Sequence, residues 1–576
     1  MSNPTLELAE MRRRLRESAS AKGFWRSLEE LMDRPEFLAA LRHEFPHQLS
    51  AGAYSSSRRN FLKLMGLSLV MAGVSGCGAQ PPTERIVPYV KMPEEMVLGK
   101  PLFYATALEL SGFATGVLVE NHEGRPTKVE GNPQHPASVG GTQSIAQGAI
   151  FTLYDPDRAQ VVTQRGQIDT WQGFLNVLRP KLNELRGNQG AGLYVLTETI
   201  TSPTLGAQLQ ALQAAFPQVH LHQYEPINLD NVQAGTKLAF GRYVNPVYHF
   251  DKAARVLALD ADFLFTHPGS LRFAREFIRQ RRLWDAAPPK AQINRLYAVE
   301  STPTITGAKA DHRLAVRAGQ VEAFAQAVAQ ALGVKLAGSN PPALPTVQQN
   351  WLTALVRDLQ QHRGASLVIA GEHQSPATHA LAHAMNVALG NVGATVTYTE
   401  PVEVSPTLQL DSLHELVNDM AAGKVDTLLI LDANLARTAP IDFGFAEQLA
   451  KVKLPIHASL YADETSALCQ WHIPVAHAFE AWSDTRAYDG TTTIVQPLIA
   501  PLFNSKSRHE VVAALLGEQP ERPGYEIVRD FWSRYYRALT QPAQPTEDAF
   551  WQTALHAGVV AGTALPALQV TLAADL

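Results

Sequence analysis

The feature that most constrains this fold is a repeated alternation of short apolar runs with longer helical patterns after about residue 165. Leu193–Thr197 precedes the pattern Leu205–Phe216, and Val256–Leu259 precedes Leu271–Arg281. Leu296–Val299, Ser366–Ala370 and Thr427–Leu431 are further apolar runs with helical patterns between them. Strands that alternate with helices predict an α/β chain with parallel sheets covered on both faces. A chain of 576 residues is too long for one core and makes roughly two to four units at about 100–200 residues per domain. The expected division is a β-rich domain at 101–165, a first α/β region at 166–345, a second at 346–515 and a C-terminal extension at 516–576. The Gly- and Pro-rich stretch Ala337–Pro345 marks the joint, and Gln541–Pro545 is a second break. Hydrophobic and charged contents of 45% and 18% are those of a globular protein. A net charge of −5 gives no basic surface, so no nucleic-acid partner is expected.

The N-terminal region reads differently. Residues 1–56 place Trp25, Leu28 and Leu31, then Phe37, Leu38 and Leu41, at helical spacing. They read as short amphipathic helices used before or during export, or as an ordinary folded extension. Residues 57–77 follow, with Ser57-Arg58-Arg59-Asn60-Phe61-Leu62-Lys63 ahead of an apolar run from Leu64 to Gly76. The paired Arg58 and Arg59 resemble a twin-arginine export signal, which carries folded proteins across the bacterial inner membrane. The apolar run is too short to span a bilayer and fits a signal core; a buried helix with a chance Arg pair is the alternative. Val74-Ser75-Gly76 before Cys77 resembles a lipobox, with Cys77 as the lipid anchor. Residues 78–100 are a proline-rich linker. The only other cysteine is Cys469, so neither a disulfide framework nor a CxxC pair exists.

Several phrases resemble the molybdopterin oxidoreductase superfamily. Val117-Leu118-Val119-Glu120, Gly124-Arg125-Pro126 and Gly131-Asn132-Pro133 lead to Leu153-Tyr154-Asp155-Pro156-Asp157-Arg158, like that family's N-terminal β-hairpin domain. Ile168-Asp169-Thr170-Trp171 looks like the entry to its first α/β domain. Thr304 to Asp311 with Val316-Arg317-Ala318-Gly319, the helix Ala384 to Asn391, and Glu464-Thr465-Ser466-Ala467 with Ile473-Pro474 and Glu480 look like its later segments. The segments around Thr304 and Thr465 echo each other. The resemblance implies a small β-rich domain plus two related parallel-sheet domains over roughly 100–515. It also implies a [4Fe–4S] site just before the strand that starts at Gly116. Its ligand positions fall here on Leu108, Ser111, Thr115 and Ile145, and the lysine that follows falls on Gln147. Leucine and isoleucine cannot ligate iron, so these positions are degenerate and no cofactor or metal is expected in this chain. The nucleotide pattern is also altered, with Glu300-Ser301-Thr302 and Arg317-Ala318-Gly319-Gln320-Val321 in its place.

The combination is similar to the large molybdopterin-oxidoreductase-like subunit of alternative complex III. Phe103-Tyr104-Ala105-Thr106-Ala107, Gly131-Asn132-Pro133-Gln134-His135-Pro136-Ala137-Ser138 and Ala487-Tyr488-Asp489-Gly490-Thr491 look like its phrases. That resemblance implies a non-catalytic subunit of a quinol-oxidising complex on the periplasmic face of the inner membrane. Partners would be an iron–sulfur module on another chain or a C-terminal half, multihaem cytochrome c subunits and integral membrane quinol-binding subunits. The electron acceptor would be a cytochrome c or copper protein. The sequence stops at Leu576 without the ferredoxin-like module of that family, so a split gene or a fragment is expected. Two other functions stay open: an active molybdopterin oxidoreductase subunit, and a stand-alone ligand-binding lipoprotein. His373, His379 and His383 form a candidate metal set, more simply read as packing. His472 and His477 read as buried, satisfied histidines. Asp260 and Asp262 end a strand where ligands bind in α/β sheets, or cap its turn.

Overall fold

The computed structural model describes residue 97 and residues 99–282, 293–336, 343–540 and 543–573. Arg58, Arg59 and Cys77, with the segments 1–56 and 57–77 and nearly all of 78–100, lie outside the described residues. No described helix is long and apolar enough to cross a membrane.

Strands β1 (Leu102–Leu110), β2 (Phe113–His122) and β3 (Arg125–Gly131) form an antiparallel meander. Ser111-Gly112 joins β1 to β2 with φ of +47° and +77°. Two positive φ values in a two-residue connection are the signature of a type I′ hairpin, whose twist matches the flanking strands. Leu110 therefore pairs with Phe113, and Leu108 with Thr115. The strand expected to start at Gly116 starts at Phe113, and Thr115 lies inside it rather than before it. The buried face of the meander presents Leu108, Val117, Val119 and Val129 to Ala146, Ala149 and Leu153 of the helix Ser144–Leu153.

The chain next builds two parallel sheets, one nested in the other. It makes β4 (Leu193–Thr197) and β5 (His220–Gln223), then leaves for β6 (Arg255–Leu259), β7 (Arg295–Glu300), β8 (His312–Ala315) and β9 (Ser366–Ala370). It returns as β10 (Thr427–Leu431), β11 (Leu454–Ser459) and β12 (Trp471–Pro474). The inner sheet has the order β8-β7-β6-β9, all parallel. The outer sheet runs β12-β11-β10-β4-β5, all parallel, with the short antiparallel strand Thr163–Gln164 beside β12. The break at 345 thus does not separate two domains. Helices Val321–Ala331 and Thr346–Gln361, on either side of it, pack with β6, β7 and β9 into one core. Strand pairing between distant segments made this division, and local composition carries no trace of it.

Side-chain alternation explains the layers. In β4 and β10, Leu193, Val195, Leu429 and Leu431 face one core, while Tyr194, Leu196, Leu428 and Ile430 face another. β6 and β9 do the same with Val256, Ala258, Leu367 and Ile369 against Leu257, Leu259, Val368 and Ala370. Strands buried on both faces read as continuous apolar runs, which is how they were legible.

The echo noted in sequence is a structural duplication. β7 leads to the helix Ile305–Lys309 and β8, and β11 leads to the helix Glu464–Leu468 and β12. Thr306 Oγ1 bonds Asp262 at 2.7 Å, as Thr465 Oγ1 bonds Asn434 at 2.8 Å. Asp260 after β6 and Asp432 after β10 both hold positive φ, +51° and +68°. β4 and β9 each feed a helix capped by serine, Ser202 and Ser375, with Pro203 and Pro376 at the first helical position. The extension beyond 516 is integral to the body. Helices Gly524–Ala538 and Glu547–Ala557 pack Trp532 and Trp551 on Ile494, and Asn132 donates to Ala557 O at 2.8 Å.

Candidate functional site

In an open parallel sheet the ligand crevice lies at the carboxyl ends of strands whose connections run in opposite directions. In the outer sheet those strands are β4, followed by β5 on one side, and β10, followed by β11 on the other. Glu198 leaves the end of β4 and Asp432 the end of β10. Arg508, first residue of the helix Arg508–Leu516, places Nε 2.5 Å from Asp432 and a terminal nitrogen 2.8 Å from Glu109 of β1. A cavity of about 490 Å³ opens against this network, walled by Leu108, Ile145, Ala149, His477, Asp484 and Arg508. Leu108 and Ile145, two of the positions where the resemblance puts cluster ligands, therefore meet at one cavity. Thr115 pairs beside Leu108 and is buried, Ser111 sits in the hairpin turn, and Gln147 is exposed and bonds Thr142.

Charge decides what this crevice can hold. Burial, then repulsion from Asp432, pushes the Glu198 carboxyl well above the usual range. Burial raises Glu109 and Asp432 too, although Arg508 pulls both down. Burial opposes the Arg508 charge, yet Asp432, Glu109 and Glu198 outweigh it and keep the guanidinium charged. Asp484, raised by burial, accepts from Ser202, Thr204 and the Trp532 indole. Three acidic groups thus act on one guanidinium that is already paired, and Asp484 adds a fourth acid to the cavity wall. Phosphate cradles present backbone N–H groups and unpaired cations, so this crevice does not fit a pyrophosphate group. Leu108 and Ile145 offer no ligand atom, Ser111 and Thr115 offer only hydroxyls, and Cys469 is buried with its thiol pushed up to about 12 by burial. The residues do not fit a cluster of thiolate-ligated iron.

The inner sheet repeats the arrangement. Asp260 accepts from Ser301 N, His373 Nε2 and Gln374 Nε2 at 3.1, 3.1 and 3.0 Å. Asp262 accepts from Thr306 N at 2.9 Å. Both aspartates thus tie the end of β6 to the segments that follow β7 and β9, rather than capping the turn after their own strand. A Cβ on Gly371 would lie 2.0 Å from Asp260 O, so only glycine allows this approach. Val321, the last residue of the altered nucleotide pattern, is fully buried in the core.

The histidine candidates do not assemble a metal site. His379 and His383 share a helix face but pack against a neighbouring helix and strand. A Cβ on Gly235 would meet His379, and His383 Nδ1 lies 2.9 Å from the Tyr398 hydroxyl. Burial drops them to about 4 and about 3, so both are neutral. His373 stands apart on Asp260. His472 Nε2 meets Ser459 Oγ at 3.1 Å, and His477 Nε2 meets Thr152 Oγ1 at 3.1 Å. Glu109, Glu198, Asp432 and Arg508 escaped the sequence reading, being scattered over four segments. One signal was available: Leu259-Asp260-Ala261-Asp262 recurs as Leu431-Asp432-Ala433-Asn434.

No family model matches the chain. Over 469 residues it is 25% identical to the molybdopterin-binding-like subunit of a menaquinone reductase from Nitratidesulfovibrio vulgaris, covering 73% of this chain and 66% of that protein. The chain thus spans just under two thirds of that relative's length. Its fold is similar to that of acetylene hydratase from Pelobacter acetylenicus, with a TM-score of 0.51 and 11% identity over 72% of this chain and 69% of that one. The β-rich meander, the nested sheets and these two likenesses give the chain a molybdopterin-oxidoreductase-like α/β fold, distantly related to a subunit that is itself only molybdopterin-binding-like.

Proposed function

We propose that this chain is a non-catalytic, cofactor-free scaffold subunit of a membrane quinone-linked oxidoreductase of the alternative complex III type. It works on the periplasmic face of the bacterial inner membrane, delivered by the twin-arginine route and anchored through Cys77. Its partners are an iron–sulfur module, multihaem cytochrome c subunits and integral membrane quinol-binding subunits. The observation that carries this reading is the Ser111-Gly112 turn. The fold is kept, while the place of a cluster-binding loop is a two-residue hairpin turn beside Leu108 and Thr115. The acid-lined crevice supports the same reading.

Purification from mild detergent, with metal and haem analysis, tests it. The expected result is co-purification with iron–sulfur and haem-bearing membrane subunits, and an isolated chain without molybdenum or iron. Stoichiometric molybdenum in the isolated chain supports an active oxidoreductase and overturns the cofactor-free role. Purification as a lone lipoprotein overturns the scaffold role. The name of the N. vulgaris relative favours a second reading for direction, a quinone-reducing assembly. Assays of the purified complex with menaquinol and with menaquinone separate the two.

A further inference from the structure

A second set of chemistry-bearing side chains lies away from the crevice, on the β5 edge of the outer sheet. His220 and His222 alternate along β5, so both rings point to the same face. The helix Gln409–Ala421 packs over that face and carries Glu415 and Asp419 one turn apart. One donor atom from each of His220, Glu415 and Asp419 lies within 4.8 Å of the others. His220 stacks on Tyr194 at 4.5 Å, and His222 stacks parallel to the same ring at 5.8 Å.

Two observations separate this set from ordinary surface charge. Neither His220 nor the Glu415 carboxylate makes a hydrogen bond among the described residues. His222 is 5% exposed, its Nδ1 meets Ser412 Oγ at 3.1 Å, and its Nε2 is buried without a partner. Glu415 is the strongest charge acting on that ring. Asp419 is held in place by the Tyr194 hydroxyl at 2.9 Å and by Lys424 at 2.8 Å.

We propose that His220, Glu415 and Asp419 bind a divalent transition metal of the zinc class, leaving a fourth position open to water. Imidazole with carboxylate is the donor mix that suits zinc. Tetrahedral donors about 2.0–2.2 Å from zinc stand roughly 3.4 Å apart, so closure needs only side-chain rotation of the exposed His220 and Glu415. Binding releases Lys424 from Asp419 and clamps the edge strand to its covering helix.

Untagged full-length protein, stripped with chelator and desalted, is titrated with Zn²⁺ by calorimetry and with Co²⁺ by visible absorption. One stoichiometric site is expected, with cobalt bands of low coordination number. His220→Ala and Glu415→Gln should each weaken binding by more than about 10–100-fold, the loss that even an outer-shell partner's removal causes. Both positions are exposed, and unchanged circular dichroism checks that the variants fold. Lys424→Ala should bind at least as tightly as the parent, because it removes the competing cation. Absence of a stoichiometric site overturns the proposal, and so does binding that survives both ligand substitutions unchanged.

Discussion

Arg158→Met is the most informative single substitution. Arg158 closes the Leu-Tyr-Asp-Pro-Asp-Arg motif and forms a two-pronged pair with Glu480, at 3.1 and 2.5 Å, with both side chains fully buried. The guanidinium also donates to Leu153 O at 2.7 Å and lies over the Phe503 ring. Methionine fills similar volume but leaves Glu480 as a buried carboxylate without its cation, at a cost of about 3–5 kcal/mol. Glu480 keeps backbone donors from His477 and Leu502, both at 2.9 Å, which favours the lower end. At about 2.1 cal/mol/K per residue, the unit Glu94–Leu576 has an unfolding entropy of about 1 kcal/mol/K, so Tm should fall by roughly 3–5 °C. The pH dependence has a definite sign. Burial alone would raise the Glu480 pKa, but Arg158 and the backbone donors hold it below the usual range, so the parent gains stability above the unfolded pKa and loses it as pH falls. Without Arg158 burial wins, Glu480 prefers to be protonated, and the variant's deficit narrows as pH falls. Scanning calorimetry at pH 5 and pH 7 reads both effects. The reasoning is refuted if Arg158→Met leaves Tm unchanged, or if Arg158→Met with Glu480→Met is no less destabilised than Arg158→Met alone.

Glu198 should make stability fall as pH rises above the ordinary carboxylate value of 4.5 towards its raised folded value, because the folded state prefers the protonated acid. Glu198→Gln should remove that part of the slope, measured as Tm against pH. Gly112→Ala should cost about 2–5 kcal/mol from left-handed strain and overpacking, since its Cβ would sit 2.6 Å from Thr199; thermal melts check this. For export, replacing Arg58 and Arg59 together by lysine keeps charge but loses the planar fork, and should retain the chain in the cytoplasm. Mass spectrometry of the mature N-terminus should find an acylated Cys77 that Cys77→Ser abolishes, and an intact Met1 refutes the lipobox.

Five of the strands were legible because parallel strands buried on both faces are continuous apolar runs. Leu193–Thr197, Ser366–Ala370 and Thr427–Leu431 have the same bounds in sequence and structure. The hairpin was legible in kind, but the turn at Ser111-Gly112 was not placed, and the family comparison put the strand start at Gly116. Asp260 and Asp262 were picked out at the end of β6, as ligand groups or as caps of its turn; their side chains instead accept from Ser301 and Thr306, beyond β7. Their counterparts at Asp432 and Asn434 were missed, although the same Leu-Asp-Ala step precedes them.

Sequence alone determined the α/β class, the echo between the two halves, and the absence of a ligand atom at Leu108 and Ile145. Each is a local property: a run of apolar residues, a repeated phrase, a side chain without a donor atom. Tertiary structure decided that the sheets are nested rather than consecutive. It also brought Glu109, Glu198, Asp432 and Arg508 to one crevice, and seated His220 beneath Glu415 and Asp419. Those outcomes depend on which strands pair across long stretches of chain. Backbone hydrogen bonds make that pairing and are blind to side-chain identity, so the order of strands leaves little local mark in the residues that carry it.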